Sequence, residues 1–181
     1  MIRPWTLLSY ENALETRVLD VYIQRTQSQD HPEKKGDFVV LDMVDWVNVI
    51  AITPDQQVVF VRQYRQGTRE ITLEIPGGMV DAGEDFLTAG LRELKEEAGG
   101  VGTSAIQIGV CEPNPALQRN RCGTILVTDV ELGEADWDPN EEIEVVLVPL
   151  SDVPDLLRSG AVTHSLVIAA FQWLHLHESS V

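Results

Sequence analysis

The stretch that decides the fold is GMVDAGEDFLTAGLRELKEEAGG, from Gly78 to Gly100. It opens on glycine, passes through a short polar loop, and continues as a predicted helix carrying Glu93, Glu96 and Glu97. At ~100° per residue the three carboxylates share one sector of that helix, and Leu87, Leu91, Leu94 and Ala98 fall in a separate sector suited to packing. Three like charges at i, i+3 and i+4 repel each other, and helix propensity does not ask for them. Hard divalent cations take oxygen ligands from clustered carboxylates, so a bound cation would turn the repulsion into coordination.

A solvated acidic face is the plainer reading of RELKEE taken alone. The residues upstream weigh against it. Gly78 is followed by five residues and Glu84; seven more lead to Arg92-Glu93-Leu94-Lys95-Glu96-Glu97, then Ala98-Gly99. This register resembles the Nudix box of the Nudix hydrolases, Gly-x5-Glu-x7-Arg-Glu-U-x-Glu-Glu-x-Gly-U, with U an aliphatic residue. Only the last position departs: Gly100 stands where an aliphatic residue is usual, and Val101 is expected to supply the missing packing.

The rest of the composition agrees with a metal-using enzyme. The chain has 181 residues, near the length of one ordinary domain, and 44% hydrophobic residues, ample for a core. No apolar run approaches a membrane span. The N-terminal MIRPWTLLSYENALET lacks the pattern of a secretory signal, so a cytoplasmic location is expected. Cys111 and Cys122 form no Cys-x-x-Cys pair and read as reduced, buried or half-buried residues. A net charge of −16 excludes general nucleic-acid binding, which draws on lysine and arginine, and means that a phosphate-bearing substrate needs cations as a bridge.

Read in order, residues 13–26 suit a strand, 27–37 a hairpin loop, and 38–44 its partner. Residues 47–53 and 57–65 follow as strands about a turn at Pro54-Asp55-Gln56, and ITLEIPGG ends a further strand at Pro76-Gly77-Gly78. Beyond the box helix come strands at SAIQIGVC, RCGTILVTDVEL and IEVVLVPL. A short helix capped by Ser151 and a last helix beginning at Thr163 or His164 complete the chain. The expectation is an α+β protein, an α/β/α sandwich with a mixed sheet, in which residues 1–45 form an N-terminal antiparallel β-subdomain and 46–181 the main domain. The fold of the Nudix family is such a sandwich.

The resemblance also implies roles for particular residues. By box position the metal ligands are Glu93, Glu97 and the backbone carbonyl of Gly77, with Mg²⁺ or Mn²⁺ as the cation. Glu96 lies on the same face, either to join catalysis or to pair with Arg92 one turn back. Glu84, read as early in the helix, is expected to stabilise its N-terminus. QYRQG, LEIPGG, the EIEV strand and IAAFQWLHLH resemble the ADP-ribose and nucleoside diphosphate sugar pyrophosphatase branch of the family. That branch implies a loop glutamate, Glu141 or Glu142, that activates water, with Glu144 as plain solvated surface. It also implies a phosphate-contacting Arg65, a site-lining Glu74, and homodimers in which N-terminal strands cross to the partner. Phe38 and Trp46 then become candidates for stacking on a nucleobase, against a packing role for each. Arg62 reads as a surface arginine. Pro115, fifteen residues past Gly100, is a weak marker of the ADP-ribose substrate. The implied reaction splits the diphosphate into a nucleoside monophosphate and a sugar phosphate; the rivals are a GDP-mannose-type pyrophosphatase and a non-catalytic ADP-ribose sensor.

Overall fold

A computed structural model describes residues 2–137 and 142–179. Backbone contacts divide the chain into two units, Met1–Val44 with Glu112–Arg121, and Asp45–Cys111 with Cys122–Val181.

The first unit is an antiparallel sheet of β1 (Thr6–Glu15), β2 (Leu19–Gln27) and β3 (Lys35–Met43), with β2 in the centre. The sequence reading merged residues 13–26 into one strand, whereas a turn at Thr16 separates β1 from β2. The Thr16 hydroxyl causes it: Oγ1 accepts the N–H of Val18 and of Leu19 and donates to the Leu19 carbonyl. Strand β1 is exposed along its whole length, so it carries no alternation of buried and exposed residues that would announce it. Residues 112–121 belong to this unit. Leu41 N–H donates to the Leu117 carbonyl (2.7 Å), Arg119 N–H donates back to the Leu41 carbonyl (3.2 Å), and the Arg119 side chain reaches Asp42 at 3.1 Å.

The second unit is built on a mixed sheet. Its strands are β4 (Trp46–Ile52), β5 (Gln57–Arg65), β6 (Glu70–Glu74) and β7 (Gly77–Met79), then, after helix α1 (Phe86–Ala98) and the short β8 (Gly100–Val101), β9 (Ser104–Cys111) and β10 (Cys122–Thr128). Short β11 (Glu131–Leu132), which pairs with β8, precedes β12 (Ile143–Pro149), and α2 (Val153–Ser159) and α3 (Ser165–Glu178) end the chain. The order is β12-β5-β4-β10-β9, with β4 and β10 parallel and the other pairs antiparallel. Alternate residues of β4 supply two cores. Val47, Val49 and Ala51 pack with Ala89, Leu94 and Ala98 of α1, while Ile50 and Ile52 pack with Val167, Ala170, Phe171 and Leu174 of α3. One helix layer on each face makes the expected α/β/α sandwich.

Three local expectations need correction. Leu91 is exposed, and the inner face of α1 is instead Ala89, Gly90, Leu94, Glu97 and Ala98. The shift follows from Gly90, whose bare α-carbon lets the helix sit so close that an added Cβ would lie 2.8 Å from Ile125. Val101 does not replace the missing aliphatic residue, being 61% exposed; Leu94 and Val130 already fill the space above Gly100. Ser151 does not cap α2, since its hydroxyl donates to the Asp152 carboxylate and the turn Leu150–Asp152 leads into the helix directly.

One topological detail positions the site. Strands β4 and β5 pair only at Ile52 and Val58, then part. Past the split β5 pairs with β6, as Val61 with Glu74, and β4 pairs with β7, as Val47 with Gly78 and Asn48 with Gly77. The segment Glu74–Gly77 therefore crosses from one arm of the split to the other, close under the carboxylates of α1.

Candidate active site

Asp85 starts α1: its side chain accepts the Thr88 N–H at 2.8 Å, and this backbone hydrogen bond draws its carboxyl below the usual range. Glu84 thus precedes the helix rather than lying within it. It faces Arg92, which donates from Nε at 3.2 Å and from Nη2 at 3.1 Å. The same guanidinium donates to the Met79 carbonyl (2.8 Å), to Glu93 (2.8 Å) and to Glu96 (3.0 Å). Hydrogen bonds to Glu84 first, and then to Glu93 and Glu96, push the Arg92 pKa up against the effect of desolvation, and Arg92 in turn holds the Glu84 carboxyl low. Only a planar fork with five donors can serve four partners in this way. Much of the charge crowding read from the sequence is therefore answered by Arg92, with Glu96 as its partner one turn on.

Glu93 and Glu97 meet β7 at successive residues. Glu97 is 4% exposed and its Oε2 accepts the Gly77 N–H at 3.0 Å. The Glu93 carboxylate lies against the α-carbon of Gly78, where an added Cβ would be 2.5 Å from Cδ and 2.7 Å from Oε2. A cradle formed by a glycine α-carbon holds the carboxylate in place. Among the described residues no three Asp, Glu, His or Cys side chains converge into a ready-made metal cage. Two carboxylates next to a glycine carbonyl, all hard oxygen donors, still suit a small divalent cation that keeps several waters and takes its remaining ligands from substrate phosphates.

The end of α1 explains the last box glycine. Gly99 has φ +62°, the left-handed conformation of a helix cap, and its N–H closes on the carbonyls of Leu94 and Lys95. Its bare α-carbon also admits the backbone of the next segment, since a Cβ there would stand 2.5 Å from the Gly133 carbonyl oxygen and 2.8 Å from Glu134. The Asp136 N–H donates to the Glu96 carbonyl (2.9 Å) and the Trp137 indole N–H to the Glu97 carbonyl (2.9 Å).

On the other arm of the split, Arg65 and Glu74 form a two-pronged pair, Nε to Oε1 at 2.8 Å and Nη2 to Oε2 at 2.7 Å, with the Thr72 hydroxyl on Oε1 at 2.6 Å. Burial would raise the Glu74 carboxyl, but the hydrogen bonds from Arg65 and Thr72 outweigh it and hold Glu74 ionised below the usual carboxylate range. Thr72, missed in the sequence, was legible by its i, i+2 spacing from Glu74 on one strand face. Trp137 is not singled out by the sequence; a lone tryptophan among acidic residues, in GEADWDPNEE, was the available signal.

The remaining candidates are spread more widely. Glu142 is exposed immediately before β12, and Glu141 lies outside the described residues. Glu144 pairs with Arg62 across β12 and β5 at 3.3 Å, both exposed, as surface residues do. Trp46 is half-buried at the start of β4, opposite Met79. Phe38 belongs to the first unit, where it is exposed and packs edge-on against Trp5 at 5.9 Å.

Known proteins carry the same architecture. The NUDIX domain family matches residues 43–171, most of the chain. The ADP-ribose pyrophosphatase of Bacillus subtilis (strain 168) is 26% identical over 95% of this chain and 93% of its own. The ADP compounds hydrolase NudE of Escherichia coli (strain K12) is 24% identical over 93% of this chain and 92% of its own. A solved structure of an ADP compounds hydrolase superposes with a TM-score of 0.87 at 19% identity, over 99% of this chain and 97% of that one, which speaks to the fold. With the box in register, its arginine hub assembled and its two glycine-cradled carboxylates in place, the chain belongs to the Nudix hydrolase family.

Proposed function

We propose that this protein is a pyrophosphatase of ADP-ribose and related nucleoside diphosphate sugars. Water attacks one phosphorus, the P–O bond of the diphosphate breaks, and a nucleoside monophosphate and a sugar phosphate leave. The observation that carries this reading is the pair Glu93 and Glu97, held by Gly78 and Gly77 on the split between β4 and β5. Glu93, Glu97 and the Gly77 carbonyl would hold Mg²⁺ or Mn²⁺, which neutralises diphosphate charge when bound. Arg92 holds Glu93 and Glu96 in position through its hydrogen bonds to both. Arg65, oriented by Glu74, supplies positive charge for a phosphate. Glu141 or Glu142 takes the proton from the attacking water. The names of the two relatives support an ADP-linked substrate for this chain.

The apolar side chains that the β1–β3 sheet exposes, among them Leu7, Tyr10, Leu14 and Phe38, support a homodimer formed through this unit. Phe38 and Trp46 are our candidates for contact with the nucleobase. Two free cysteines on neighbouring strands suit a reducing, cytoplasmic setting, and among the described residues no helix is long and apolar enough to cross a membrane.

The test is a substrate panel with Mg²⁺: ADP-ribose, ADP-glucose, GDP-mannose, NADH and diadenosine polyphosphates. The expected result is turnover of ADP-ribose or an ADP-sugar. Preference for GDP-mannose would redirect the substrate, and tight ADP-ribose binding without turnover would mark a sensor. A gel-filtration mass near that of one 20.1 kDa chain would remove the dimer.

A further inference from the structure

Strand β9 is the outer strand of the mixed sheet, and β10 lies inside it, between β9 and β4. The last residue of β9, Cys111, faces the first residue of β10, Cys122, in direct antiparallel register. The two adjoining pairs, Val110 with Gly123 and Gly109 with Thr124, keep that register, so the cysteines sit on a regular stretch of ladder. Directly opposed residues of such a ladder project to one face, with α-carbons about 4.5 or 5.5 Å apart. Both spacings fall inside the ~4.4–6.8 Å that a disulfide spans. Both thiols are free. Burial pushes the Cys122 thiol up to about 12, and the next contribution comes from Cys111 itself, as thiols within reach of each other require.

The two cysteines differ in access. Cys122 is 1% exposed, with Cys111 beside it on β9 and Trp46 in register on β4. Cys111, on the edge of the sheet, is half-buried. A reagent from solution therefore meets Cys111 first, and Cys122 is reached from Cys111. We infer that the two form a dithiol modification site: Cys111 exchanges with a small-molecule disulfide of the glutathione class, and Cys122 resolves the adduct into an intrachain bond. In the first step the Cys111 thiol loses its proton and its sulfur attacks one sulfur of oxidised glutathione. The S–S bond of the reagent breaks, and one glutathione leaves as a thiol with that proton. In the second step the Cys122 thiol loses its proton and attacks the Cys111 sulfur, and the second glutathione leaves as a thiol. Two protein thiols are oxidised and one glutathione disulfide is reduced. Burial also raises the Cys111 thiol, so little thiolate is present and the exchange is slow. In a reducing compartment such a bond is transient. The chain leaves β9 at Cys111 and enters β10 at Cys122, and the residues between them, Glu112–Arg121, belong to the first unit, where Leu117 and Arg119 bond to Leu41. The bond fixes the two ends of that segment. The inference does not draw on the pyrophosphatase reading.

The test incubates folded wild type, Cys111→Ser and Cys122→Ala with oxidised glutathione, quenches with acid and reads intact mass. Wild type should lose the mass of two hydrogens, keep no glutathione, and regain both thiols with dithiothreitol. Trypsin cuts after Arg119 and Arg121, so the bond should appear as two peptides joined through Cys111 and Cys122. Cys122→Ala should stop at one glutathione on Cys111, and Cys111→Ser should stay unmodified. Hydrogen exchange should be slower across 112–121 in oxidised than in reduced wild type. Wild type that keeps both thiols, holds a lasting glutathione adduct, or links to a second chain overturns the inference. So does glutathione bound to Cys122 in Cys111→Ser, which folds or fails independently of the buried position. Unchanged exchange across 112–121 in the oxidised protein overturns the claim that the bond fixes that segment.

Discussion

Replacing Gly78 by alanine should disable the site while leaving the fold intact. Gly78 has an ordinary backbone conformation, outside the positive-φ residues, so alanine brings no backbone strain. Its added methyl would stand 2.5 Å from Cδ of Glu93 and 2.7 Å from Oε2. Non-bonded carbon atoms settle near ~3.5 Å, so the carboxylate must retreat by about 1 Å. Glu93 can do that, because the clash is with the far end of a flexible side chain. The retreat takes it out of line with Glu97 and strains its 2.8 Å bond to Arg92. A misplacement of about 1 Å costs on the order of a hundredfold in rate. The assay is kcat for ADP-ribose across a Mn²⁺ titration, alongside Tm. The variant should lose about two decades of kcat, need more Mn²⁺, and melt within a few degrees of wild type. Gly77→Ala is the control that should behave differently: its methyl would meet the Val47 backbone carbonyl, with Asn48 Oδ1 at 2.8 Å, and neither the strand nor β7 can yield cheaply. It should cost about 1–3 kcal/mol of stability through overpacking. A Gly78→Ala protein with wild-type kcat and Mn²⁺ requirement would refute the idea that Glu93 works from this cradle.

Three other predictions concern the charged groups. Glu97→Gln can still accept the Gly77 N–H, so it should fold normally yet lose several kcal/mol of charge stabilisation, about 10²–10³ in kcat; near-normal turnover sinks the ligand assignment. Arg92→Lys cannot reach four partners from one point charge and should lower both Tm and kcat, with a stability loss of about 1–2 kcal/mol by urea unfolding; an unshifted urea midpoint would show that the hub is dispensable. The Glu74 carboxyl is held below its ordinary value of 4.5, so its contribution to stability is fully present above that value and fades as pH falls through the lower folded value. Wild type should therefore exceed Glu74→Gln in stability at neutral pH and converge with it in acid; a gap that stays constant between pH 7 and pH 3 contradicts the Arg65–Glu74 pairing.

The sequence disclosed most of this molecule where local chemistry and global packing ask for the same residue. The box spacing located the helix, the glycines before it and the two α1 carboxylates that meet β7, because that spacing spans both sides of the contact. The helix face came out rotated toward Gly90, since the close approach that Gly90 permits depends on Ile125 across the sheet, which no local pattern reports. Strand β1 escaped notice because both its faces are exposed and it has no period to read. The arginine hub was only half legible: the i, i+4 pair with Glu96 follows from helix geometry, whereas Glu84 and the Met79 carbonyl reach Arg92 through the loop. Trp137 was hidden for a similar reason, as its partner lies forty residues upstream.

The central claim is that Glu93, Glu97 and the Gly77 peptide together hold the cation on which a diphosphate is cut. It is tested most directly by incubating wild type and Glu97→Gln with ADP-ribose and Mg²⁺, with and without chelator, and measuring AMP and ribose 5-phosphate. Wild type alone should release equal amounts of both products, and none once the cation is chelated. Product formation that survives the chelator, or that Glu97→Gln matches, would contradict it.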